Sequence, residues 1–241
     1  MPLPEIPPYV FSNAVRMFWT TREKQAKSQA RRGATDQGAR AAVTGGKQMD
    51  GFCGTIRKCL VDSGVPPATI YVKGQRELPG FFRPTKDWDM VIVNRGMLIA
   101  SLELKSQVGP SFGNNFNNRT EEALGNAVDI WTAYREGAFL TSPQPWVGYL
   151  LLLEECERAM APVTVSEPHF SVFPEFKGAS YAKRYELLCR KLVRERQYSA
   201  ACFMLSARTR ARRADNYREP AEDLSAKIFL EGLLSHASPV R

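Results

Sequence analysis

Asp89, Glu103 and Lys105 are the residues of this chain whose types and spacing could do chemistry. Asp89 opens the apolar run Met90-Val-Ile-Val93. Glu103 and Lys105 sit two residues apart at the end of a second apolar run, Met97–Leu104. Side chains alternate faces along a strand, so residues two apart project together. Glu103 and Lys105 therefore stand side by side, and a hairpin folding the two runs together brings Asp89 toward them. Two carboxylates and an ammonium on one sheet edge suit magnesium-dependent hydrolysis of a phosphodiester. Magnesium takes oxygen ligands and is usually held by one or two carboxylates, with water and phosphate completing its shell. Bound there, it lowers the pKa of a coordinated water and offsets charge developing on phosphorus. Lys105 would orient or help deprotonate that water. A lysine beside a bound cation can have its pKa drawn toward neutrality, which admits a base role.

The Glu-x-Lys tripeptide alone says little, and the chain contains its own control. Glu175-Phe-Lys177 lies between Pro174 and Gly178 with no apolar strand to carry it, and reads as a surface turn. The central copy is embedded in Val, Ile and Leu, as buried strands are. Charges that interrupt such a strand are costly without partners or a metal. Asp87 is a rival for Asp89 on the same predicted strand face. Asp89 is preferred because it directly abuts the apolar run.

The elements that must position these groups follow from periodicity. Tyr9 to about Ala30 reads as a helix with Val10, Phe11, Ala14, Val15, Phe18 and Trp19 at helical spacing. It ends in a basic tract of Lys24, Lys27, Arg31 and Arg32, followed by a small-residue, flexible composition over Gly33–Gly46. Lys47 to about Ser63 reads as a second helix, stopped by Gly64-Val-Pro-Pro. Thr69–Val72 is a short strand, and Asn94-Arg95-Gly96 is the turn between the two central strands. Ser106–Asn117 is expected as a functional loop. A helix over Arg119–Arg135 follows, with Asn118 and Glu121 at capping-box spacing. Pro145–Leu153 and Ser199–Leu205 are buried strands around an amphipathic helix, Tyr181–Arg196. A last helix covers about Ala221–Leu234. Arg208, Arg210, Arg212, Arg213 and Arg218 form a cluster suited to phosphate contacts. The order predicts an α/β fold: a mixed central sheet flanked by helices, with extra helices at both termini.

Composition bounds the partners. The formal charge is +8, which favours an anionic partner and nucleic acid first. No apolar run reaches membrane-spanning length, and the proline-rich start is no signal peptide, so no membrane association and a cytoplasmic location are expected. Five scattered cysteines fit a reducing compartment rather than a disulfide frame. Two histidines and no Cys-x-x-Cys argue against zinc, and no GxxxxGK[ST] phosphate loop occurs.

Asp89 with Glu103-Leu-Lys105 resembles the PD-(D/E)xK nuclease superfamily, whose core of helix, three meandering strands, helix and strand matches residues 47–153 in order. Trp88 stands where that superfamily's name places a proline. The segment LELKSQVGPSFGNNFNNRTEEALGN, from Leu102 to Asn126, is more specific and resembles the XhoI-type family of type II restriction endonucleases. The resemblance extends over most of the chain. It implies one restriction-endonuclease-like domain over 1–241, with a core of about 47–207, an N-terminal helical extension over 9–32 and a C-terminal helix over about 221–234.

The resemblance further implies cleavage of double-stranded DNA at the palindrome CTCGAG, after the first C, leaving four-base 5′ overhangs. It implies Mg2+ held by Asp89 and Glu103, with Lys105 completing the catalytic set. It implies a homodimer, and a cognate DNA methyltransferase as a functional rather than physical partner. Two-fold symmetry of a palindrome independently favours a two-fold dimer. Asp50, on the preceding helix, is a candidate extra acid because some superfamily members use one there. Candidates for DNA contact are Asn114, Asn115, Asn117, Asn118, Arg119, Arg208 and Arg210. Asn118 could instead only cap its helix. Two other readings remain open at this level: a repair or recombination nuclease on the same core, and a non-catalytic DNA-binding protein.

Overall fold

In the computed structural model, which describes residues 4–32 and 48–238, helices α1 (Ser12–Arg32) and α2 (Asp50–Asp62) precede a run of strands. These are β1 (Ile70–Tyr71), β2 (Glu77–Pro79), β3 (Thr85–Asp87), β4 (Met90–Asn94) and the long β5 (Met97–Gln107). Helix α3 (Phe112–Arg135) and strand β6 (Trp146–Glu154) follow, then the one-turn α4 (Glu157–Met160). Helix α5 (Tyr181–Arg194), strand β7 (Ala200–Ser206) and helix α6 (Ala226–His236) complete the order. The expected flexible tract at 33–46 lies outside the described residues.

The main sheet has the order β1-β4-β5-β6-β7. It is antiparallel from β1 to β5 and parallel from β5 to β7. This mixed sheet between helices is the α/β architecture expected. Both faces are covered, which is why β5 and β6 read as nearly unbroken apolar runs. On one face, Phe11 just before α1 and Phe18 and Trp19 of α1 pack with Phe52 and Ile56 of α2 and Phe229 and Leu233 of α6 against Met90, Leu102, Leu150 and Met204. Ala127 and Ile130 of α3 and Tyr185 and Leu188 of α5 close the other face over Val91, Tyr149, Leu151 and Phe203.

The turn between β4 and β5 is the tight one expected. Asn94 pairs with Met97, leaving Arg95 (φ 51°) and Gly96 (φ 77°) as the two central residues. Two positive φ values in a two-residue hairpin twist the strands together correctly, and glycine adopts the second at no steric cost.

Two local expectations are corrected. The loop predicted for Ser106–Asn117 is much shorter, because β5 runs to Gln107 and α3 begins at Phe112. Phe112 is fully buried and stacks on Tyr181 with ring centroids 5.7 Å apart, so packing extends the helix through the asparagine-rich stretch. Asn118 consequently lies inside α3 and caps nothing. Residues 85–94 are also not one strand: β3 ends at Asp87 and β4 starts at Met90.

Strands β2 and β3 form a separate two-stranded hairpin, with Leu78 opposite Lys86. Asp129 of α3 clamps its tip. Its carboxylate accepts the N–H groups of Phe81 (2.8 Å) and Phe82 (2.9 Å) on one oxygen and Arg83 Nε (2.6 Å) on the other. Arg83 Nη2 also donates to Asn126 Oδ1 at 2.7 Å. Gly80 is required beside this clamp, since a Cβ there would lie 2.6 Å from Asp129 Oδ2 and 2.8 Å from the Arg83 carbonyl. Burial alone would raise the Asp129 carboxyl; the Phe82, Arg83 and Phe81 donors outweigh it and hold the pKa below the ordinary value. Asp129→Ala is expected to cost about 2–4 kcal/mol in urea denaturation, because three donors lose a charged acceptor at a site 4% exposed. The depressed pKa makes this contribution fully present above the unfolded value near 3.9 and lost as pH falls through the folded one. Acidification below about pH 4 should therefore narrow the gap between parent and variant. A gap under about 0.5 kcal/mol at neutral pH would show that the clamp is dispensable.

Candidate active site

Strand β5 carries Glu103 and Lys105 on the sheet face that α3 and α5 cover, while Leu102 and Leu104 enter the opposite core. Asp89 arrives from the neighbouring strand. Its N–H donates to the Leu102 carbonyl at 3.1 Å, continuing the β4–β5 ladder by one residue. Its Oδ2 accepts the Leu104 N–H at 2.7 Å. From the other side, Cys53 of α2 donates its thiol to the Asp89 carbonyl at 3.6 Å. A register shift between Ile92 and Val93 moves the pairing by one residue, so Met90 meets Leu102 and Asp89 falls on the same face as Glu103.

Glu103 is 2% exposed and lies between two ammonium groups. Lys105 pairs with its Oε1. Lys86 Nζ lies 2.8 Å from its Oε2, in an ion pair that does not meet hydrogen-bond geometry. Lys86 also donates to the Asp87 carbonyl at 3.0 Å and sits 4.8 Å from the centre of the buried Trp88 ring. On the far side of Lys105, Glu122 of α3 is 3.9 Å away and is itself held by Arg119 Nη1 at 2.6 Å.

The charges set the proton affinities. Burial, and then the negative charge of Glu103, push the Asp89 carboxyl up to about 6. Burial works the same way on Glu103, but Lys105 and Lys86 outweigh it and hold that carboxyl below its ordinary value. Burial would lower the Lys105 ammonium, yet pairing with Glu103 raises it. A base role for Lys105 therefore depends on a cation beside it, because the protein's own groups keep it charged.

Asp87, the rival first acid, is exposed and paired with Arg76 at 2.7 Å. It belongs to β3, opposite Glu77, rather than to the strand that Asp89 extends. Asp87→Asn removes only this exposed pair, so stability should change by less than about 1 kcal/mol and DNA cleavage should be unaffected. A strongly impaired Asp87→Asn enzyme in a cleavage assay would reopen the choice of acid. Asp50 opens α2 and is exposed, one turn before Cys53. Burial, then Asp89, then Asp50 raise the Cys53 thiol to about 12, which puts Asp50 in the neighbourhood of the centre without a contact to it.

Asn114, Asn117 and Asn118 are exposed along the first turns of α3, and Asn115 and Arg119 are half-buried. The arginines after residue 207 are partly engaged already. Arg208 stacks over Trp19 at 5.4 Å, Arg210 and Arg213 both pair with Asp215, and Arg218 pairs with Glu155 at 2.6 Å. Glu175 and Lys177 flank a one-turn 3-10 helix and pair with Lys191 and Glu167, as a surface turn would.

Lys86 and Glu122 are residues of this centre that sequence reasoning missed. Lys86 reaches it only because the β2–β3 hairpin forms, and that pairing leaves no periodic signal over three-residue strands. Glu122 reads as one more charge on a helix face.

The donor set fits a hard cation. Asp89 Oδ2 is taken by the Leu104 N–H, and among the described residues no hydrogen bond reaches Oδ1. Glu103 Oε2 is a buried oxygen without a hydrogen-bond partner. Among the described residues no cluster of three acidic, histidine or cysteine ligands forms.

Known proteins resemble the chain over most of its length. The family described as "Restriction endonuclease XhoI" matches residues 28–218. The type II restriction enzyme BstVI of Geobacillus stearothermophilus is 53% identical over 208 residues, covering 84% of this chain and 92% of the relative. The type II restriction enzyme XhoI of Xanthomonas vasicola is 48% identical over 181 residues, covering 74% and 72%. AbrI of Azospirillum brasilense is 49% identical over 158 residues, covering 65% and 71%. No solved structure matches. Among the described residues no helix is long and apolar enough to cross a membrane. With a family match spanning residues 28–218 and relatives about half identical over most of its length, the chain belongs to the XhoI family of type II restriction endonucleases.

Proposed function

We propose that this endonuclease hydrolyses double-stranded DNA at CTCGAG, after the first C, with Mg2+ as cofactor and as a homodimer whose two centres cut one strand each. The observation that carries the chemistry is the convergence of Asp89 and Glu103 beside Lys105. In this reading residues 1–241 act as one nuclease domain and a cognate methyltransferase protects host DNA. The site sequence and overhang come from the family resemblance, and the dimer also from the symmetry of a palindrome.

Asp89 and Glu103 would hold the cation. When bound, magnesium supplies Lewis acidity toward a phosphoryl oxygen and a more acidic water. Lys105, kept in place by Glu103 and approached by Glu122, faces that water and the phosphate. Trp88 and the apolar cores keep bulk water from behind the carboxylates, which strengthens every interaction in front of them.

Base reading is assigned to the start of α3. Asn114, Asn118 and Glu122 recur every four residues, so the exposed asparagines share a helix face with the acid next to Lys105. From 114 to 122 the helix rises about 12 Å. Three base pairs of a half-site span about 10 Å. Asn on adenine is a favoured major-groove pair, and Arg208 and Arg210 are assigned to the DNA backbone.

Digestion of a DNA of known sequence, with and without Mg2+ and followed by end mapping, tests the proposal. Discrete fragments ending in 5′-TCGA overhangs are expected, with none formed in chelator. Discrete fragments with other ends would overturn the site assignment, and metal-independent cutting would overturn the cofactor.

A further inference from the structure

We propose that Lys86 is a built-in counter-ion of the metal site, resting on the reading of Asp89 and Glu103 as metal ligands. Without a cation the Lys86 ammonium occupies Glu103 Oε2, and it yields that oxygen when a divalent cation binds.

Three observations support this. Lys86 Nζ is 2.8 Å from Oε2, close enough to exclude a cation from that oxygen. Apart from the Lys86 ammonium, no donor among the described residues reaches Oε2, so nothing else in the protein competes for it. In the same position Lys86 also donates to the Asp87 carbonyl at 3.0 Å and lies 4.8 Å from the Trp88 ring centre, two contacts that can keep the ammonium at the site when Oε2 is given to a cation. Trp88 is 2% exposed, and its backbone N–H donates to the Arg76 carbonyl at 3.2 Å, so the segment carrying the ring is anchored. Aromatic faces hold ammonium groups by electrostatic attraction to the ring.

The arrangement solves a physical problem. A carboxylate as deeply buried as Glu103 is costly unless its charge is compensated. Lys105 faces one oxygen and Lys86 the other, so the protein's own cations compensate the buried charge. The cation must then compete with Lys86 for Oε2, and Lys86 lowers metal affinity by the free energy of that pairing. Lys86 acts through Glu103, which makes it a positioning residue.

Mn2+ binding to the DNA-free protein, read by electron paramagnetic resonance, tests the role. Glu103→Gln serves as the control that identifies binding at this centre. Lys86→Gln is expected to bind Mn2+ about tenfold more tightly than the parent. Its melting temperature should fall without metal and rise more steeply than the parent's as Mn2+ is added. Lys86→Arg, which keeps the charge, should retain affinity near the parent's and guards against a folding defect in the Gln variant. The Mg2+ concentration giving half-maximal cleavage should fall in Lys86→Gln alongside the Mn2+ constant. Unchanged or weaker binding by Lys86→Gln, with Glu103-dependent binding intact in the parent, overturns the counter-ion role and leaves the metal centre standing. No Glu103-dependent binding in the parent overturns both.

Discussion

Glu103→Gln is expected to lower DNA cleavage by about 10³-fold or more, and Asp89→Asn by a similar factor, while the two substitutions move stability in opposite directions. Both replace an oxygen ligand with a neutral amide of the same size, so the cation and its activated water lose their anchor. Stability separates them because their surroundings differ. Glu103 is 2% exposed between Lys86 and Lys105, and its pKa is depressed. Gln in its place leaves the Lys86 and Lys105 ammonium groups beside each other without the buried charge they share, Lys105 keeping only the more distant Glu122 at 3.9 Å and Asp89. Removing one partner of a buried ion pair costs about 3–5 kcal/mol.

Asp89 is the reverse case, because burial and Glu103 raise its carboxyl to about 6. A carboxyl with a raised folded pKa contributes most below the unfolded value near 3.9, and that contribution is lost as pH rises through about 6. Above that window the parent carries the cost of a poorly solvated charge. Asp89→Asn removes it and keeps an oxygen to accept the Leu104 N–H. Without metal and above pH 6, the Asn variant should therefore melt higher than the parent, with the advantage vanishing near pH 4. Thermal melts in chelator across pH 4–8, beside cleavage assays, measure both effects. Normal cutting by either variant would remove that acid from the centre, and a lower melting temperature for Asp89→Asn at pH 7 would show that its charge is compensated.

A functional residue that costs stability is common where a protein holds groups ready for a ligand. That logic explains which parts of this centre were legible in the sequence. Glu103 and Lys105 were readable because strand alternation is local: two residues apart on an apolar run means one face. Asp89 was legible only in part: the Asn94-Arg95-Gly96 turn joins the right strands, but a register shift between Ile92 and Val93, which leaves no signal in the sequence, is what brings Asp89 opposite Glu103 rather than Leu102. Lys86 was not, since its place depends on β2 pairing with β3 and on a clamp from Asp129, more than forty residues away in sequence. Segment-level errors have the same origin. Asparagine and glycine disfavour helix, so 106–117 read as a loop. The buried Phe112 ring against Tyr181, contributed by a helix far along the chain, reversed that preference. The order of strands and the two-sided burial of β5 and β6 were legible because long apolar runs without alternation have few homes other than a covered sheet.

Lys105→Met and Lys105→Arg together decide how the lysine acts. Lys105→Met should lower cleavage by about 10²–10⁴-fold, the range for loss of a positioned proton-transfer group. DNA binding should change little, since the substitution removes one of many cations. Metal binding should not weaken either, because one positive charge leaves the neighbourhood of Glu103 and Lys86 still pairs with Oε2. Arginine separates the two remaining roles. Its guanidinium keeps the positive charge and cannot be deprotonated in a protein, so it can stabilise charge on phosphate but cannot accept a proton from water. The structure by itself keeps Lys105 charged through Glu103, and a neutral amine becomes accessible only with a cation on that carboxylate. If Lys105 is the base, Lys105→Arg should be as defective as Lys105→Met, and both residual rates should depend more strongly than the parent's on the acidity of the metal-bound water. If its charge is what matters, Arg should restore a large part of the rate. Single-turnover cleavage of a short duplex with Mg2+ and with Mn2+ gives the comparison directly, and normal cutting by the Met variant would exclude Lys105 from the chemistry altogether.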